Sequence, residues 1–254
     1  MKAVILAGGL GTRISEFTHS IPKPMIEIGG NPLLWHIMQN YSKHGIKDFV
    51  ICLGYKGDVI KDYFLHYSKM KSNFRINLAN GQIEIFNSDC EDWNISLIDT
   101  GSNTMTGGRL LRVRSILNEE TFCMTYGDGL SNVDITNLID FHHSHGKAAT
   151  VTSILQPGRF GTLEIDKFGV VSEFVEKPKS GHSRINGGFF VLNPTIFDYI
   201  GGDKTSFEAE PLVNLSKRSQ LAAFNHDGFW QPCDTLSDKQ KLDNLWSSGS
   251  VPWL

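Results

Sequence analysis

The segment Leu6-Ala7-Gly8-Gly9-Leu10-Gly11-Thr12-Arg13 places three glycines just behind an apolar run, with an arginine following. Glycines let backbone N–H groups crowd around phosphate oxygens, and a guanidinium can fork onto the same oxygens. Two common phosphate motifs fail here. A dinucleotide fingerprint would need glycine where Ile14 stands, and no Gly-Lys-Ser/Thr ending completes a Walker loop. An ordinary tight turn would use the same glycines. Lys23 lies between Pro22 and Pro24, which should hold its ammonium on a stiff, extended segment. Asp128 stands between Gly127 and Gly129 after an apolar run. That is the C-terminal end of a strand, where α/β proteins bind ligands. Aspartate suits Mg²⁺, which takes one or two carboxylates together with phosphate oxygens and water. Glu176-Lys177, Asn186-Gly187-Gly188 and a late carboxylate, Asp234, follow. Singly, each also reads as a turn or surface residue.

The elements that must position these residues follow from periodicity. Residues 2–6 form a short buried strand ended by glycines. Leu33, Leu34, Ile37, Met38 and Tyr41 have helical spacing, with Asn31 as N-cap, Pro32 at the first helical position and Gly45 as terminator. A second strand is expected over 49–53 and a helix over 59–64. Short alternating runs between 74 and 99 suggest excursions into smaller strands. A helix over 107–117, a strand over 122–125, a helix over 135–145 and a strand over 149–155 come next. Strands within 162–177 and 189–192 precede helices over 208–218 and 236–246. Strand and helix alternate, which predicts an α/β fold with a Rossmann-like, mostly parallel mixed sheet, flanking helices and extra β excursions. No repeat or linker interrupts the chain. The economical reading is one domain over 1–254, with a nucleotide-binding part over about 1–130 and an acceptor-binding part over about 131–254.

Composition narrows the class. The 254 residues are 40% hydrophobic and 20% charged, which supports a packed core. A net charge of −3 argues against a dedicated nucleic-acid binder. Cys52, Cys90, Cys123 and Cys233 form no C-x-x-C pair, so zinc is not indicated and free thiols are expected. The apolar run at the N-terminus is too short for a signal segment, and no stretch approaches a membrane span. A cytoplasmic protein without nucleic-acid or membrane partners is expected.

The order of the clusters carries more than any one of them. GGLGTR, PKPM, DTG with MTGGRL, TYGDG, PGRFG, EKPK, INGGFFVLNP, EPL and FWQP with DT run in sequence over essentially the whole chain. In this the chain resembles the nucleotide-sugar pyrophosphorylases (sugar-phosphate nucleotidyltransferases), and within them the glucose-1-phosphate cytidylyltransferase group. The resemblance implies Mg²⁺-dependent joining of CTP to a phosphorylated acceptor, glucose 1-phosphate by default, with release of pyrophosphate. Leu6, Ala7, Gly8, Gly9, Leu10, Gly11 and Thr12 would hold the nucleotide, with Thr104 and Arg109. Arg13 and Lys23 would neutralise the triphosphate, and Asp128 and Asp234 would hold Mg²⁺. Lys177 would grip the acceptor phosphate and Glu176 its hydroxyls, while Gly161, Asn186 and Gly188 would line the acceptor pocket. The resemblance also implies a homo-oligomer.

Two alternatives stay open. Arg184, just before the Asn-Gly-Gly motif, could read an anionic group on a non-glucose acceptor, or simply face solvent. A catalytically silent nucleotide-binding regulator would keep the fold and lose the chemistry. An NAD-dependent oxidoreductase is disfavoured by the missing third glycine. Phe207 stands where the close group often has Trp, and the tail over 250–254 could pack on its own domain or on a neighbour.

Overall fold

The computed structural model describes residues 1–11, 14, 18–117, 119–155, 162–165, 171–175 and 184–254. Seven strands make the main sheet: β1 (Lys2–Leu6), β2 (Asp48–Leu53), β3 (Asn94–Asp99), β4 (Phe122–Tyr126), β5 (Ala149–Leu155), β6 (Arg184–Leu192) and β7 (Leu221–His226). Their order is β3-β2-β1-β4-β6-β5-β7. The first four are mutually parallel, β6 runs antiparallel to both β4 and β5, and β5 and β7 are parallel.

Among the described residues, six helices accompany it: α1 (Leu33–Lys43), α2 (Gly57–Met70), α3 (Thr106–Val113), α4 (Ile135–His145), α5 (Glu210–Lys217) and α6 (Leu236–Ser247). Side-chain alternation along the strands explains the layers. Ala3 and Ile5 of β1, with Phe49, Ile51 and Leu53 of β2, pack among Leu34 and Ile37 of α1, Leu138 of α4 and Leu242 of α6. Val4 and Leu6, with Val50 and Cys52, face the other way, onto Leu110 and Val113 of α3 and Leu215 of α5. Helices on both faces are why these central strands read as continuous apolar runs. No helix among the described residues is long and apolar enough to cross a membrane.

Several expectations change in detail. The run over 94–99 is the edge strand of the main sheet, not a small excursion. Ser72–Ile76 and Ile83–Ser88 form a hairpin separate from the main sheet. Asn31 does not cap α1. Asn31 and Pro32 pair with Glu27 and Ile28 in a two-residue ladder, so the helix opens at Leu33 with no side-chain cap. The second helix extends to Met70, and α3 stops at Val113, where a 3₁₀ turn over Arg114–Ile116 continues it. The tail packs on its own chain: Trp253 is buried and its Nε1 donates to Nδ1 of His36 at 3.2 Å.

Candidate functional site

The sheet's direction of travel reverses between β1 and β4. After β1 the chain builds outward through β2 and β3, then crosses back to place β4 on β1's other side. A crevice opens at the carboxyl ends of such a strand pair. Here it is a cleft of about 380 Å³, lined by Leu6, Ala7, Gly8, Gly9 and Gly11 after β1, Lys23 and Pro24, Thr104 to Thr106 and Arg109, Tyr126 to Asp128, and Asp234. Backbone bonds fix the loop at its mouth: Ala7 N–H donates to Cys52 O, Gly127 N–H to Leu6 O and Tyr55 N–H to Gly8 O, at 3.0, 3.1 and 3.3 Å.

Lys23 is the centre of the charged groups. Its segment closes a 3₁₀ turn over Lys23–Met25 instead of running extended, with Met25 N–H donating to Pro22 O at 2.8 Å. The turn aims the lysine inward. Its Nζ donates to Oδ2 of Asp128 and to Oδ1 of Asp234, each at 2.6 Å. Burial pulls the ammonium's pKa down, but the two carboxylates outweigh it and the net shift is upward. The lysine is therefore a fixed cation. Both carboxylate oxygens touch one nitrogen, so they lie no further apart than twice that bond.

That donor set is of the right kind for Mg²⁺: hard oxygens, already converging on a cation, with the cleft open beside them for phosphate oxygens and water. Among the described residues no cluster of three or more metal-binding side chains exists, so a metal here would draw its other ligands from substrate and solvent.

Arg109 lies 4% exposed beneath the glycine loop. Its Nη1 donates to Leu53 O, Thr100 Oγ1 and Gly101 O at 2.9, 2.7 and 2.8 Å, and Nη2 donates to Gly8 O at 2.9 Å. A methyl group on Gly8 or Gly54 would overlap this guanidinium, so both glycines make room for it. Desolvation lowers its pKa, yet a guanidinium stays charged. Its partners here are neutral oxygens, which leaves a positive field under the loop. Arg109 thus braces the loop that it was expected to assist as a nucleotide contact.

A smaller cleft of about 60 Å³ adjoins the first. Asn186, Gly187 and Gly188 of β6 line it with Tyr126, Asp128 and Trp230, so the two expected acceptor residues Asn186 and Gly188 lie beside the carboxylate. Trp230 Nε1 donates to Gly187 O at 2.8 Å, and Gly188 N–H donates to Asn186 Oδ1 at 2.8 Å. Gly188, at φ +82°, passes against the Tyr126 ring, where a side chain would be both strained and crowded.

Other expected residues fall outside these clefts. Leu10 is exposed and lines neither. Arg184 lies toward the β5 and β7 side of the sheet, donating to Ser153 O at 3.0 Å and to Asp227 Oδ1 at 2.5 Å. It too lines neither cleft. Thr12, Arg13, Gly161, Glu176 and Lys177 lie outside the described residues. Sequence reasoning missed Tyr126, Thr106 and Glu208, which meet at the rim. The run TYGDG held Tyr126 in plain sight, but its hydroxyl contact comes from 82 residues away.

The doubly wound sheet, its switch-point cleft and the acidic pair around a lysine define a protein built to handle phosphorylated nucleotides. The chain belongs to the nucleotidyl transferase family, whose model matches residues 2–235. It is 55% identical to the glucose-1-phosphate cytidylyltransferase of Salmonella typhimurium over 254 residues, covering 100% of this chain and 98% of that one. It is 45% identical to a Bacillus subtilis protein named "Probable glucose-1-phosphate cytidylyltransferase", over 100% of this chain and 99% of the relative. Among solved structures, HddC from Yersinia pseudotuberculosis matches with a TM-score of 0.70 and 25% identity, over 96% of this chain and 99% of that one. HddC has also been solved in complex with GMP-PN.

Proposed function

We propose that this chain is a glucose-1-phosphate cytidylyltransferase: it joins CTP to glucose 1-phosphate and releases CDP-glucose and pyrophosphate. The observation that carries the reading is 55% identity over the full length of a curated enzyme of that name, with Lys23, Asp128 and Asp234 assembled in the cleft.

The acceptor's phosphate has a second pKa of about 6, so near neutrality it is mostly a dianion and needs no base to become a nucleophile. One of its oxygens bonds to the α-phosphorus as the bond to the bridging oxygen breaks, and the electron pair leaves with pyrophosphate. The protein's task is to align two polyanions and offset their charge. Asp128 and Asp234 would hold Mg²⁺, which draws charge from the phosphates when bound. Lys23 and Arg13 supply cations to the triphosphate, and Arg109 adds a positive field beneath the loop. Thr104 and the loop's backbone face the nucleotide. Lys177 and Glu176 complete the acceptor side with Gly161, Asn186 and Gly188. Arg184, held by Asp227, is left out of that set.

In this reading the chain works as one nucleotidyltransferase domain in the cytoplasm, where nucleoside triphosphates are made. Self-association is part of it, through the exposed apolar hairpin over 72–88.

The test is pyrophosphate release with Mg²⁺, crossing CTP, UTP, dTTP, ATP and GTP against glucose 1-phosphate and other phosphorylated acceptors. Turnover with CTP and glucose 1-phosphate at least tenfold above every other pair is expected. A better non-glucose acceptor would overturn the sugar half of the reading. A better nucleotide would overturn the base half.

A further inference from the structure

Glu208 precedes α5 on the rim of the cleft, and both its oxygens are engaged. Oε1 accepts from the Tyr126 hydroxyl at 2.6 Å. Oε2 accepts from Thr106 Oγ1 at 2.6 Å and from Ser206 Oγ at 2.7 Å. No cation is among these partners. Desolvation opposes the charge, but the hydroxyl bonds outweigh it and hold the carboxyl below its usual range, so it is an anion at neutral pH.

The three hydroxyls belong to three different pieces of the site. Thr106 opens α3, the helix that carries Arg109. Tyr126 ends β4, two residues before Asp128, and lines the smaller cleft together with Asn186. Ser206 belongs to the loop that seals α3's first turn. In that loop Asp203 O accepts from Met105 N–H at 2.8 Å, and Thr205 O accepts from Gly107 N–H at 3.0 Å. The loop is itself tied down: Arg112 holds Asp203 through two bonds of 2.9 and 2.6 Å, Phe207 is fully buried, and Phe207 N–H donates to Thr106 Oγ1 at 2.9 Å. Gly107 and Gly108 let the loop lie directly on the helix, since a methyl on either would meet its backbone.

We infer that Glu208 is a positioning residue for the transfer reaction: its carboxylate fastens the nucleotide wall of the cleft, α3, to the metal and acceptor wall, β4. The inference rests on the cytidylyltransferase reading. Tyr126 and Thr106 donate to the same anion, so one charge orders both walls. In-line displacement depends on the separation of the two substrates, and a small misplacement costs far more in rate than in the binding of either alone. A clamp across the cleft therefore acts on kcat.

The experiment compares the full-length protein with E208A, E208Q and Y126F. E208A is expected to lower kcat at least tenfold, while KM for CTP and for the acceptor, and the Kd of CTP, stay within about threefold. E208Q, which keeps the length but turns one acceptor into a donor, is expected to fall between. Tyr126→Phe removes a single oxygen and should leave the fold intact, so it keeps the test open if E208A folds poorly. The E208A/Y126F double variant is expected to be no slower than E208A, because both cut one connection. Unchanged kcat per folded molecule in E208A, or fully additive losses in the double variant, overturns the clamp. Wild-type protein inactive with CTP and glucose 1-phosphate would be a failure of the function reading instead. The clamp is then read from amide hydrogen exchange of α3, which must be faster in E208A than in wild type.

Discussion

At the residue scale, Lys23 sits where a divalent cation would be held. Its ammonium touches both carboxylates at 2.6 Å, so in the proposed reaction metal and lysine would compete for the same oxygens until a triphosphate gave the lysine new partners. Lys23→Met is expected to lower turnover about 10²- to 10³-fold, the usual cost of losing one stabilising donor at a reacting phosphate or carbonyl. The same variant removes the ammonium that bonds to both carboxylates. Mn²⁺ without nucleotide should therefore raise its Tm by several degrees more than it raises that of wild type; equal shifts would sink the competition. The lysine's folded pKa is raised, so the stability that its own charge contributes is lost only as pH climbs through the folded value. His142 is buried between Thr150 and Asn193, and burial lowers its pKa. Its neutral form is favoured in the folded state, so stability is full above the unfolded value and falls as pH drops below about 6.5. His142→Gln is expected to flatten the Tm-against-pH curve between pH 6.5 and 5; an unchanged slope would assign the loss to other groups. Asp128 and Asp234 could be named from sequence as candidate metal ligands, because a carboxylate in a glycine or proline turn at a strand end is recognisable chemistry. Lys23 could be named as a cation too, but not as the partner of both, since they lie 105 and 211 residues away from it.

At the element scale, the central strands and α4 were legible because burial on both faces, or on one helical stripe, leaves a clear period. The edge strand β3 was not. It is half-exposed, so its alternation matches that of a hairpin strand, and only its pairing with β2 separates the two. The bracing of the glycine loop was equally hidden: Arg109 reads from the resemblance as a nucleotide contact, and α3 also uses it to hold Gly8 and the ends of β2 and β3 together. That arrangement predicts a strong effect for a very small change. Gly8→Ala puts a methyl into the guanidinium and should cost about 1–3 kcal/mol of stability, as overpacking does. Because the loop would shift with it, KM for CTP is expected to rise at least tenfold. Gly9→Ala is the control: a methyl there meets nothing, so stability and KM should stay close to wild type. Equal effects at the two positions would mean that the loop needs glycine for its backbone alone, and not to admit Arg109.

At the scale of the whole molecule, the hairpin over 72–88 is left uncovered among the described residues. The hairpin strands Ser72–Ile76 and Ile83–Ser88 pair Phe74 with Ile85 and Ile76 with Ile83, so four apolar side chains share one face. All four are exposed, and Leu78 and Phe86 nearby are exposed too. Arg75 and Glu84, on the opposite face, pair at 3.5 Å. A two-stranded hairpin is marginal in water, and a one-sided apolar face of this kind normally marks a surface that another protein covers. The sequence showed the alternation without showing that nothing among the described residues covers it. A second copy fits the homo-oligomer that the family resemblance implies. Light scattering of the purified protein is expected to give a multiple of the 28.4 kDa chain mass. Phe74→Asp with Ile85→Asp places two like charges directly opposite each other on that face and should drive the mass down to that of one chain. Neither residue lines the cleft, so melting of the core and CTP binding should change little. A wild-type protein already at the single-chain mass would instead leave the hairpin face as a surface for a different partner, and the implied self-association would be wrong.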